Sequence, residues 1–348
     1  MVFRQAGPRS VKAAKAGTVT HRDPNSWISL VTSKNFGSSW SKPSKIYNPK
    51  FAVNDPSINI MNDGSIYLRA CELFVEPSKN RSKLPKELFC HRVEHGLVSA
   101  IRGNTIVPLS LKAKNLTAQK PKLIECEGLT DTCSREPILE LPDGSWVLSV
   151  YRGAPHVTDC SYLLRSFDRG KTWGDPVLMF KDKNAGPSDL QGINFNETAV
   201  VCFEDGEMLA VARADSSFFT EGTFMPVGGI GSFYKAHSIN WGMSFSEPQQ
   251  LPIFGQPGHL LKIDEQTVLL TYGYRKKPYG IRACISFDRG HTWSLENEII
   301  LRDDGYLWDL GYPMTIKMSN GRFLTAYYFN DDSLTRFISV TEWEYSRD

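Results

Sequence analysis

The sequence predicts an all-β protein folded as a β-propeller, and three observations carry this prediction. Apolar runs rich in Ala and β-branched residues flank short turns, most of them Asp-Gly or Asn-Gly, which are the strongest short-range signal for a β-hairpin. The turns, at Gly64, Gly144, Gly206, Gln266 and Gly321, recur at intervals of 80, 62, 60 and 55 residues. Almost no helical patterning separates them. A period of this length, made of strands and turns, is typical of propeller blades around a central channel.

The first blade is expected to be incomplete at the N-terminus. Residues 2–6, Val-Phe-Arg-Gln-Ala, resemble the closing half of a later hairpin at 211–214. Arg4 is then the closing arginine of a first blade whose innermost strand is missing from this chain. A further strand is predicted over 27–32. The last strand, over 336–345, is expected to complete a blade with the N-terminal segment and so close the ring.

The repeat predicts one domain over residues 1–348, because blades bury their faces only against each other. Between 75 and 133 the pattern is irregular, with four prolines and many lysines. This stretch is expected to be a loop-rich insertion that decorates one blade and covers the mouth of the channel.

Each hairpin opens on a polar or aromatic residue and closes on an arginine or a tyrosine. The opening residues are Asp55, Glu136, Glu197, His259 and Tyr312, and the closing residues are Arg69, Arg152, Arg213, Arg275 and Tyr328. Because the innermost strands of a propeller run the same way, equivalent positions converge on one mouth of the channel. We therefore expect a single funnel lined by acids and arginines. The structural alternative is that each arginine pairs with the acid of its own hairpin, as Glu197 with Arg213 and Glu136 with Arg152.

An octet of the form Ser-x-Asp/Asn-x-Gly-x-Thr/Ser-Trp occurs at 33–40, 166–173 and 286–293, with a degenerate copy at 238–245. The Asp or Asn side chain accepts backbone N–H bonds, the glycine takes a positive φ, and the aromatic residue packs between sheets. We therefore interpret the octets as structural turns and not as catalytic groups.

Charge and composition exclude several classes of function. The chain has 40 basic and 38 acidic residues, net +2, so nothing indicates a nucleic-acid or membrane surface. Arginines clustered in a near-neutral protein favour a small anionic ligand instead. The seven cysteines include no Cys-x-x-Cys pair, so no metal site or cofactor is indicated. No signal peptide and no membrane-spanning run is recognised, which favours a cytoplasmic protein.

The octets are the Asp-box motif, and the chain resembles the sialidase (neuraminidase) superfamily of six-bladed propellers, in particular its BNR-repeat branch. In sialidases a Glu opens an innermost strand after Asn, an Arg closes the same hairpin, another Arg closes the next, and a Tyr opens the last blade. Glu197, Arg213, Arg275 and Tyr312 stand at the matching positions. The resemblance implies that Tyr312 is the nucleophile, that Glu197 takes its proton, and that arginines clamp a substrate carboxylate.

Two parts of the sialidase site have no unique match. The Arg-Ile-Pro motif, which supplies the third carboxylate-binding arginine, does not occur in the chain. The candidates to replace it are Arg4, Arg69 and Arg152. The loop aspartate that acts as acid/base in sialidases is best matched in position by Asp23, just before the strand at 27–32.

Three further hairpin-opening residues belong to the expected pocket. We expect His259 and Asp55 to line it or to serve as alternative proton donors, and Glu136 to line it as well. A lone histidine, however, is more often a satisfied structural group than a catalyst.

The resemblance thus implies an exo-acting glycoside hydrolase that removes a terminal sialic acid or related acidic sugar from glycoconjugates with retention of configuration. A neutral phenol as nucleophile avoids the repulsion that a carboxylate would feel toward an anionic substrate. Two alternatives remain open, because a fold does not fix a function. One is a non-catalytic glycan-binding propeller, and the other is a different exo-glycosidase or a lyase on the same scaffold.

Overall fold

The computed structural model describes residues 1–16, 22–85, 92–94, 96–112, 115–129, 131–152, 159–183, 192–220, 223–226 and 231–345. Their strands form six separate antiparallel sheets. The sheets are arranged as the blades of a propeller, so the predicted fold class is confirmed. No helix in these described ranges has the length and apolar character needed to cross a membrane.

The strands follow the chain blade by blade. Blade 1 contains β1 (Val2–Gln5), β2 (Trp27–Leu30) and β3 (Ser44–Tyr47), with the helix α1 (Pro8–Lys15) between β1 and β2. Blade 2 contains β4 (Ala52–Ile60), β5 (Ile66–Pro77), β6 (Arg92–Glu94), β7 (Leu97–Lys112), β8 (Asn115–Ala118) and β9 (Lys122–Leu123), with a 3-10 helix at Ser78–Lys83. Blade 3 contains β10 (Leu139–Glu140), β11 (Trp146–Arg152), β12 (Cys160–Ser166) and β13 (Gly174–Phe180).

The second half of the chain repeats this plan. Blade 4 contains β14 (Ile193–Cys202), β15 (Met208–Thr220), β16 (Thr223–Pro226), β17 (Ser232–Ser238) and β18 (Gln249–Phe254). Blade 5 contains β19 (Gly258–Lys262), β20 (Val268–Tyr274), β21 (Tyr279–Ser286) and β22 (Ile299–Gly305). Blade 6 contains β23 (Gly311–Lys317), β24 (Phe323–Asn330) and β25 (Arg336–Trp343).

The hairpin turns form where the sequence predicts them. In blade 4, Val201 pairs with Leu209 and Cys202 with Met208, which leaves the tight turn at 203–207 between them. Gly206 in this turn has φ +88°, and a Cβ at its position would lie 2.4 Å from the Trp241 ring. Only glycine meets both demands without strain.

The four octets form the predicted structural turns. In the copy at 166–173, Asp168 accepts hydrogen bonds from the Thr172 backbone N–H (2.8 Å) and hydroxyl (2.6 Å), while Gly170 donates to the Ser166 hydroxyl (2.8 Å). Each octet lies between the last two strands of its blade. In a four-stranded blade such as blade 3 these are the third and fourth strands. In blade 1 they are β2 and β3, so β1 corresponds to the second strand of a blade and Arg4 to a closing arginine.

The core lies between blades rather than inside them. Apolar clusters join blades 1 and 2, 2 and 3, 3 and 4, 4 and 5, and 5 and 6. Between blades 4 and 5, for example, Val211 and Phe233 pack with Leu270 and Tyr272. Each sheet is therefore stabilised mainly by burying its faces against its neighbours.

The predicted closure of the ring is wrong. In the described part of the chain β25 pairs with β24, and β1 pairs with β2, so the last strand does not complete the N-terminal blade. Side chains make the contact instead: Leu324 of blade 6 lies against Gly37 in the octet of blade 1, where an added Cβ would come within 3.1 Å of it. Among the described residues, blades 1 and 6 therefore meet through side-chain packing, and their strands do not pair with each other.

The stretch from 75 to 133 contains more regular structure than its prolines and lysines predict. The strands β5 and β7 extend as a long antiparallel pair, from Ile66 opposite Leu109 to Pro77 opposite Leu97. Pro108 fits within β7, opposite Tyr67. A second difference is α1, which begins with a proline at its first turn, the helix position where the missing N–H costs nothing.

Candidate active site

Three of the five hairpin-opening residues share an unusual backbone. Asp55, Glu197 and Tyr312 have φ values of 47°, 41° and 53°, in the left-handed region that residues other than glycine rarely adopt. Each lies in a β-bulge, where the register of its hairpin slips. Such bulges re-aim side chains and are common beside active sites. They occur here in alternate blades, 2, 4 and 6.

The bulges in blades 4 and 6 bring an acid and a phenol together. The Tyr312 hydroxyl donates a short hydrogen bond to Oε1 of Glu197. The other carboxylate oxygen of Glu197 accepts a bond of 2.7 Å from Arg213 Nη1. Arg213 also forms an ion pair of 2.7 Å, through Nε, with Asp215. A phenol, a carboxylate and a guanidinium are thus connected in one chain at the mouth, as the hairpin register predicts for Glu197 and Arg213.

Electrostatics fix the protonation states of this chain of groups. Burial acts to raise the pKa of Glu197, but the charge of Arg213 and the hydrogen bonds from Tyr312 and Arg213 outweigh it, so the pKa lies below its usual value. Burial and the Glu197 carboxylate raise the pKa of Tyr312 well above its usual range. At neutral pH the pair is a neutral phenol that donates to a carboxylate.

Arg275 lies on the neighbouring side of Tyr312. Its Nε donates to the carbonyl oxygen of Leu310 (3.1 Å) and its Nη2 to the Tyr328 hydroxyl (3.2 Å). Its guanidinium carbon is 5.9 Å from the centre of the Tyr312 ring and 5.6 Å from that of the half-exposed Trp308. Arg213 and Arg275 therefore flank the phenol, which places two cations near its hydroxyl.

Arg135 is a member of this cluster that the sequence did not predict. Its Nη1 donates to the Glu136 carboxylate (2.7 Å) and to the carbonyl of Gly258 in blade 5, and its Nη2 donates to the carbonyl of Pro313 in blade 6 (2.6 Å). The guanidinium carbon lies 5.5 Å from the centre of the Tyr312 ring. One buried arginine thus connects blades 3, 5 and 6 by hydrogen bonds beside Tyr312. The only signal in the sequence is its position immediately before a hairpin-opening acid.

Two further acids belong to the mouth and carry raised pKa values. Burial, reinforced by the Glu197 carboxylate, raises the pKa of the half-buried Asp55 to about 6. Burial raises the pKa of Glu136 to about 7 despite the charge of Arg135. The positive charges of Arg69, Arg135 and Arg4 oppose the rise in the pKa of Asp55 but do not cancel it.

The remaining arginine candidates have other partners. Arg69 is fully buried and donates to the Ser57 hydroxyl (3.2 Å), the Asn104 side chain (3.4 Å) and the Ser134 carbonyl (2.7 Å). Arg152 approaches Asp131 at 3.8 Å. The pairing of Arg152 with Glu136, which the structural alternative predicts, does not occur in the described residues, because Arg135 occupies that carboxylate.

Asp23 does not fit the predicted acid/base role. It is completely buried, and its carboxylate accepts the backbone N–H groups of Ser10 (2.8 Å) in α1 and of Asn25 (2.9 Å). A Cβ on Gly7 would lie 2.6 Å from the same carboxylate, so the chain packs tightly around it. Asp23 fixes the connection between β1 and β2 and has no open face for a substrate.

His259 is in the mouth but cannot serve as the predicted alternative proton donor. Its Nδ1 accepts a hydrogen bond of 3.3 Å from the Thr315 backbone N–H. Burial, followed by the charge of Arg135, lowers the pKa of His259 to about 3. The ring is therefore neutral at working pH and links blade 5 to blade 6 as a structural group.

The raised pKa of Asp55 predicts a pH-dependent gain in stability for Asp55→Asn. An unfolded aspartate ionises near its usual pKa of about 4, whereas the folded one ionises at about 6, so the wild type loses stability as pH rises between them. Asparagine carries no charge and tolerates the positive φ. We expect the free energy of unfolding of the variant to exceed that of the wild type by roughly 1–3 kcal/mol at pH 8 and to equal it near pH 3.

Urea denaturation at both pH values measures this difference. Asp303→Asn, which changes an exposed acid of β22, is the control. It should change the free energy of unfolding by no more than about 0.5 kcal/mol at either pH. An Asp55→Asn variant that is no more stable than wild type at pH 8 would show that the acid is not held in an unfavourable site.

No protein-family model and no curated protein sequence matches the chain. Solved structures do match it. A protein of unknown function from Dyadobacter fermentans is 26% identical with a TM-score of 0.81, over 99% of this chain and 90% of that chain. The microbial sialidase Hz136 from the Hadza is 13% identical with a TM-score of 0.60, over 92% of this chain and 60% of that one.

The sialidase of Trypanosoma rangeli is also similar, at 13% identity and a TM-score of 0.58, over 92% of this chain and 51% of that one. At this identity the likeness to sialidases establishes a shared propeller fold and nothing about activity. The chain spans between about half and two thirds of the length of these sialidase chains.

Proposed function

We propose that this protein is a retaining exo-glycosidase of the sialidase type, which removes a terminal sialic acid or a related acidic sugar. The observation that carries the proposal is the hydrogen bond from Tyr312 to a Glu197 carboxylate that Arg213 keeps ionised. A tyrosine is a weak nucleophile unless a base lies against its hydroxyl. Glu197 supplies that base. Both residues have positive φ values in β-bulges, and such strained conformations cost free energy and cluster at functional sites.

In the first half of the reaction the Tyr312 oxygen attacks the anomeric carbon and the glycosidic C–O bond breaks. The phenolic proton passes to Glu197. The leaving oxygen takes a proton from an acid, for which we propose Asp55, because its pKa of about 6 leaves much of it protonated in mildly acidic solution. In the second half Asp55 takes a proton from water, the water oxygen replaces Tyr312 on the sugar, and Glu197 returns the proton to the phenolate. Two displacements give retention.

Two arginines, Arg213 and Arg275, are proposed to bind the substrate carboxylate, since planar guanidinium groups bind carboxylates through paired, charge-assisted hydrogen bonds. Among the candidates for a third arginine we favour Arg4 of blade 1, whose positive charge lowers the pKa of Asp55. Arg69 is less suitable because three protein groups already hold its guanidinium. We assign Arg69 and Arg135 to supporting the wall of the site.

One observation favours a second candidate function, a glycan-binding propeller without turnover. Asp215 forms an ion pair with Arg213, with Oδ2 lying 2.7 Å from Nε, so part of the positive charge at the mouth is already balanced. Such a protein would retain affinity for acidic glycans and release no product.

The test is release of 4-methylumbelliferone from its sialic acid glycoside, with the glucuronide and the uncharged galactoside as matched substrates. Turnover of the sialoside alone supports the proposal, and proton NMR of the first product should show the retained anomer. Turnover of the glucuronide alone would identify another acidic sugar. Binding on a glycan array with no turnover of any of the three would favour the second candidate.

The assigned groups also predict a bell-shaped dependence of kcat/KM on pH. Glu197 must be ionised, so the rate falls only below its pKa, which lies under the usual value. Asp55 must be protonated, so the rate falls as pH rises through about 6. Asp55→Asn should lose roughly 10²- to 10⁴-fold in rate together with the alkaline limb. An unchanged alkaline limb in that variant would remove Asp55 from the mechanism.

A further inference from the structure

The opposite end of the inner strands carries a cluster that the proposed reaction does not use. Glu207 is the last residue of the turn in the blade 4 hairpin, His237 lies in β17, and His291 lies in the octet of blade 5. One carboxylate oxygen, Glu207 Oε1, is 3.2 Å from His237 Nδ1 and 3.0 Å from His291 Nε2. The three donor atoms all lie within 4.8 Å of one another. We propose that Glu207, His237 and His291 form a binding site for a divalent transition-metal ion, with Zn²⁺ as the preferred metal.

The donor set and its spacing suit zinc. Imidazole nitrogen and carboxylate oxygen are common zinc ligands, with bonds of about 2.0–2.1 Å. In a tetrahedron with such bonds, neighbouring ligand atoms are about 3.3 Å apart. The two nitrogen–oxygen distances, 3.2 and 3.0 Å, approach this value. The imidazole rings are stacked, with centres 4.1 Å apart and planes inclined by 5°. Rotation of the His291 side chain would then turn its ring nitrogen toward the ion that Glu207 and His237 bind.

Exposure leaves room for that rotation and for a further ligand. The side chain of His291 is 55% exposed, whereas those of Glu207 and His237 are 14% and 12% exposed. Two ligands are therefore held by the fold, and the third can move onto the ion from solvent. Water can occupy the fourth position of the tetrahedron on the same open side.

The surroundings hold the carboxylate in place and balance the local charge. Arg289 Nη1 lies 2.9 Å from Glu207 Oε2, the oxygen that does not face the histidines, and 2.6 Å from Asp205 Oδ2. A hydrogen-bonded partner on the second carboxylate oxygen is a common support for a metal ligand. Because Asp205 compensates Arg289, the charge of Glu207 remains available for the cation.

The site is separate from the proposed glycosidase centre. Arg213 and Glu207 are six residues apart on one extended segment, which corresponds to roughly 20 Å at about 3.3 Å per residue. The ion would connect blade 4 to the octet of blade 5, next to the bond of 3.1 Å from Lys235 to the Gly290 carbonyl. Metal binding would therefore stabilise this contact between blades, and it can be tested without any measurement of activity.

The experiment is equilibrium dialysis of the untagged full chain against ZnCl₂ at pH 7.5, followed by metal analysis. We expect one Zn²⁺ per wild-type chain at micromolar free metal and at least a tenfold weaker affinity for His291→Ala, whose side chain is exposed enough for the variant to fold. Glu207→Gln should show the same loss. Glu247→Gln, which alters an exposed acid of blade 4 outside the donor set, is the control and should bind like the wild type.

Two additional readouts keep the result specific. Zn²⁺ should raise the melting temperature of the wild type and of Glu247→Gln but not that of His291→Ala. Co²⁺ in the site should give visible bands without the strong near-ultraviolet absorption of a cysteine thiolate. The proposal is overturned if the wild type binds no stoichiometric Zn²⁺, if His291→Ala binds as tightly as the wild type, or if the cobalt spectrum shows thiolate ligation.

Discussion

Replacement of Tyr312 by phenylalanine is expected to lower kcat for the sialoside by at least about 10³-fold, with little change in the affinity for product. The change removes one oxygen atom, the proposed nucleophile, and leaves the ring that packs beside Arg275 and Arg135. Glu197 keeps its ion pair with Arg213 at 2.7 Å, so the acid remains compensated and the fold should persist.

Steady-state kinetics on the sialoside, with binding of sialic acid by calorimetry, measure the two effects separately. Tyr327→Phe is the matched control, since this neighbouring phenol of β24 bonds to Thr341 (2.6 Å), away from the mouth. The control should retain full turnover. If Tyr312→Phe hydrolyses the sialoside at the wild-type rate, the nucleophile has been assigned to the wrong residue.

The largest loss of stability is expected for Arg135→Met. The substitution removes the cation that pairs with the buried Glu136 and leaves the carbonyl groups of Gly258 and Pro313 without their donor. Removal of one partner of a buried ion pair costs about 3–5 kcal/mol. Because Pro313 follows the strained Tyr312, the variant should also lose the position of the phenol and hence activity.

Thermal and urea denaturation test the stability of Arg135→Met. The double variant Arg135→Met, Glu136→Gln should recover part of the loss, because it no longer buries an unpaired acid. Arg322→Met, at a surface ion pair of 2.9 Å with Glu342, is the control and should cost no more than about 1 kcal/mol. A cost of similar size for Arg135→Met would mean that this arginine does not join the blades.

Local patterns explain why the hairpins could be predicted. A strand alternates with a fixed period and a tight turn fixes its register, so the spacing of 16 residues from Glu197 to Arg213 is enough to place both at one end of a hairpin. The same reasoning places Tyr312 at the opening of the last blade. The repeat then carries these ends to one mouth, where the structure joins all three by hydrogen bonds.

Contacts between distant segments explain the errors and omissions. Asp23 occupies a loop position that matches an acid/base, but the return of α1 over it turns its carboxylate into a buried acceptor. The closing strand β25 has the composition of a strand, but composition does not say which neighbour it pairs with.

The sequence by itself determined the blades, their turns and the acid, phenol and arginine that face one channel, because strand alternation, turn residues and the spacing of the repeat can all be recognised along the chain. Only the tertiary structure decided the rest. The three-blade contacts of Arg135, the raised pKa of Asp55 and the meeting of Glu207, His237 and His291 depend on where whole sheets pack. Distance and burial in the folded molecule create these properties, and no spacing along the chain records them.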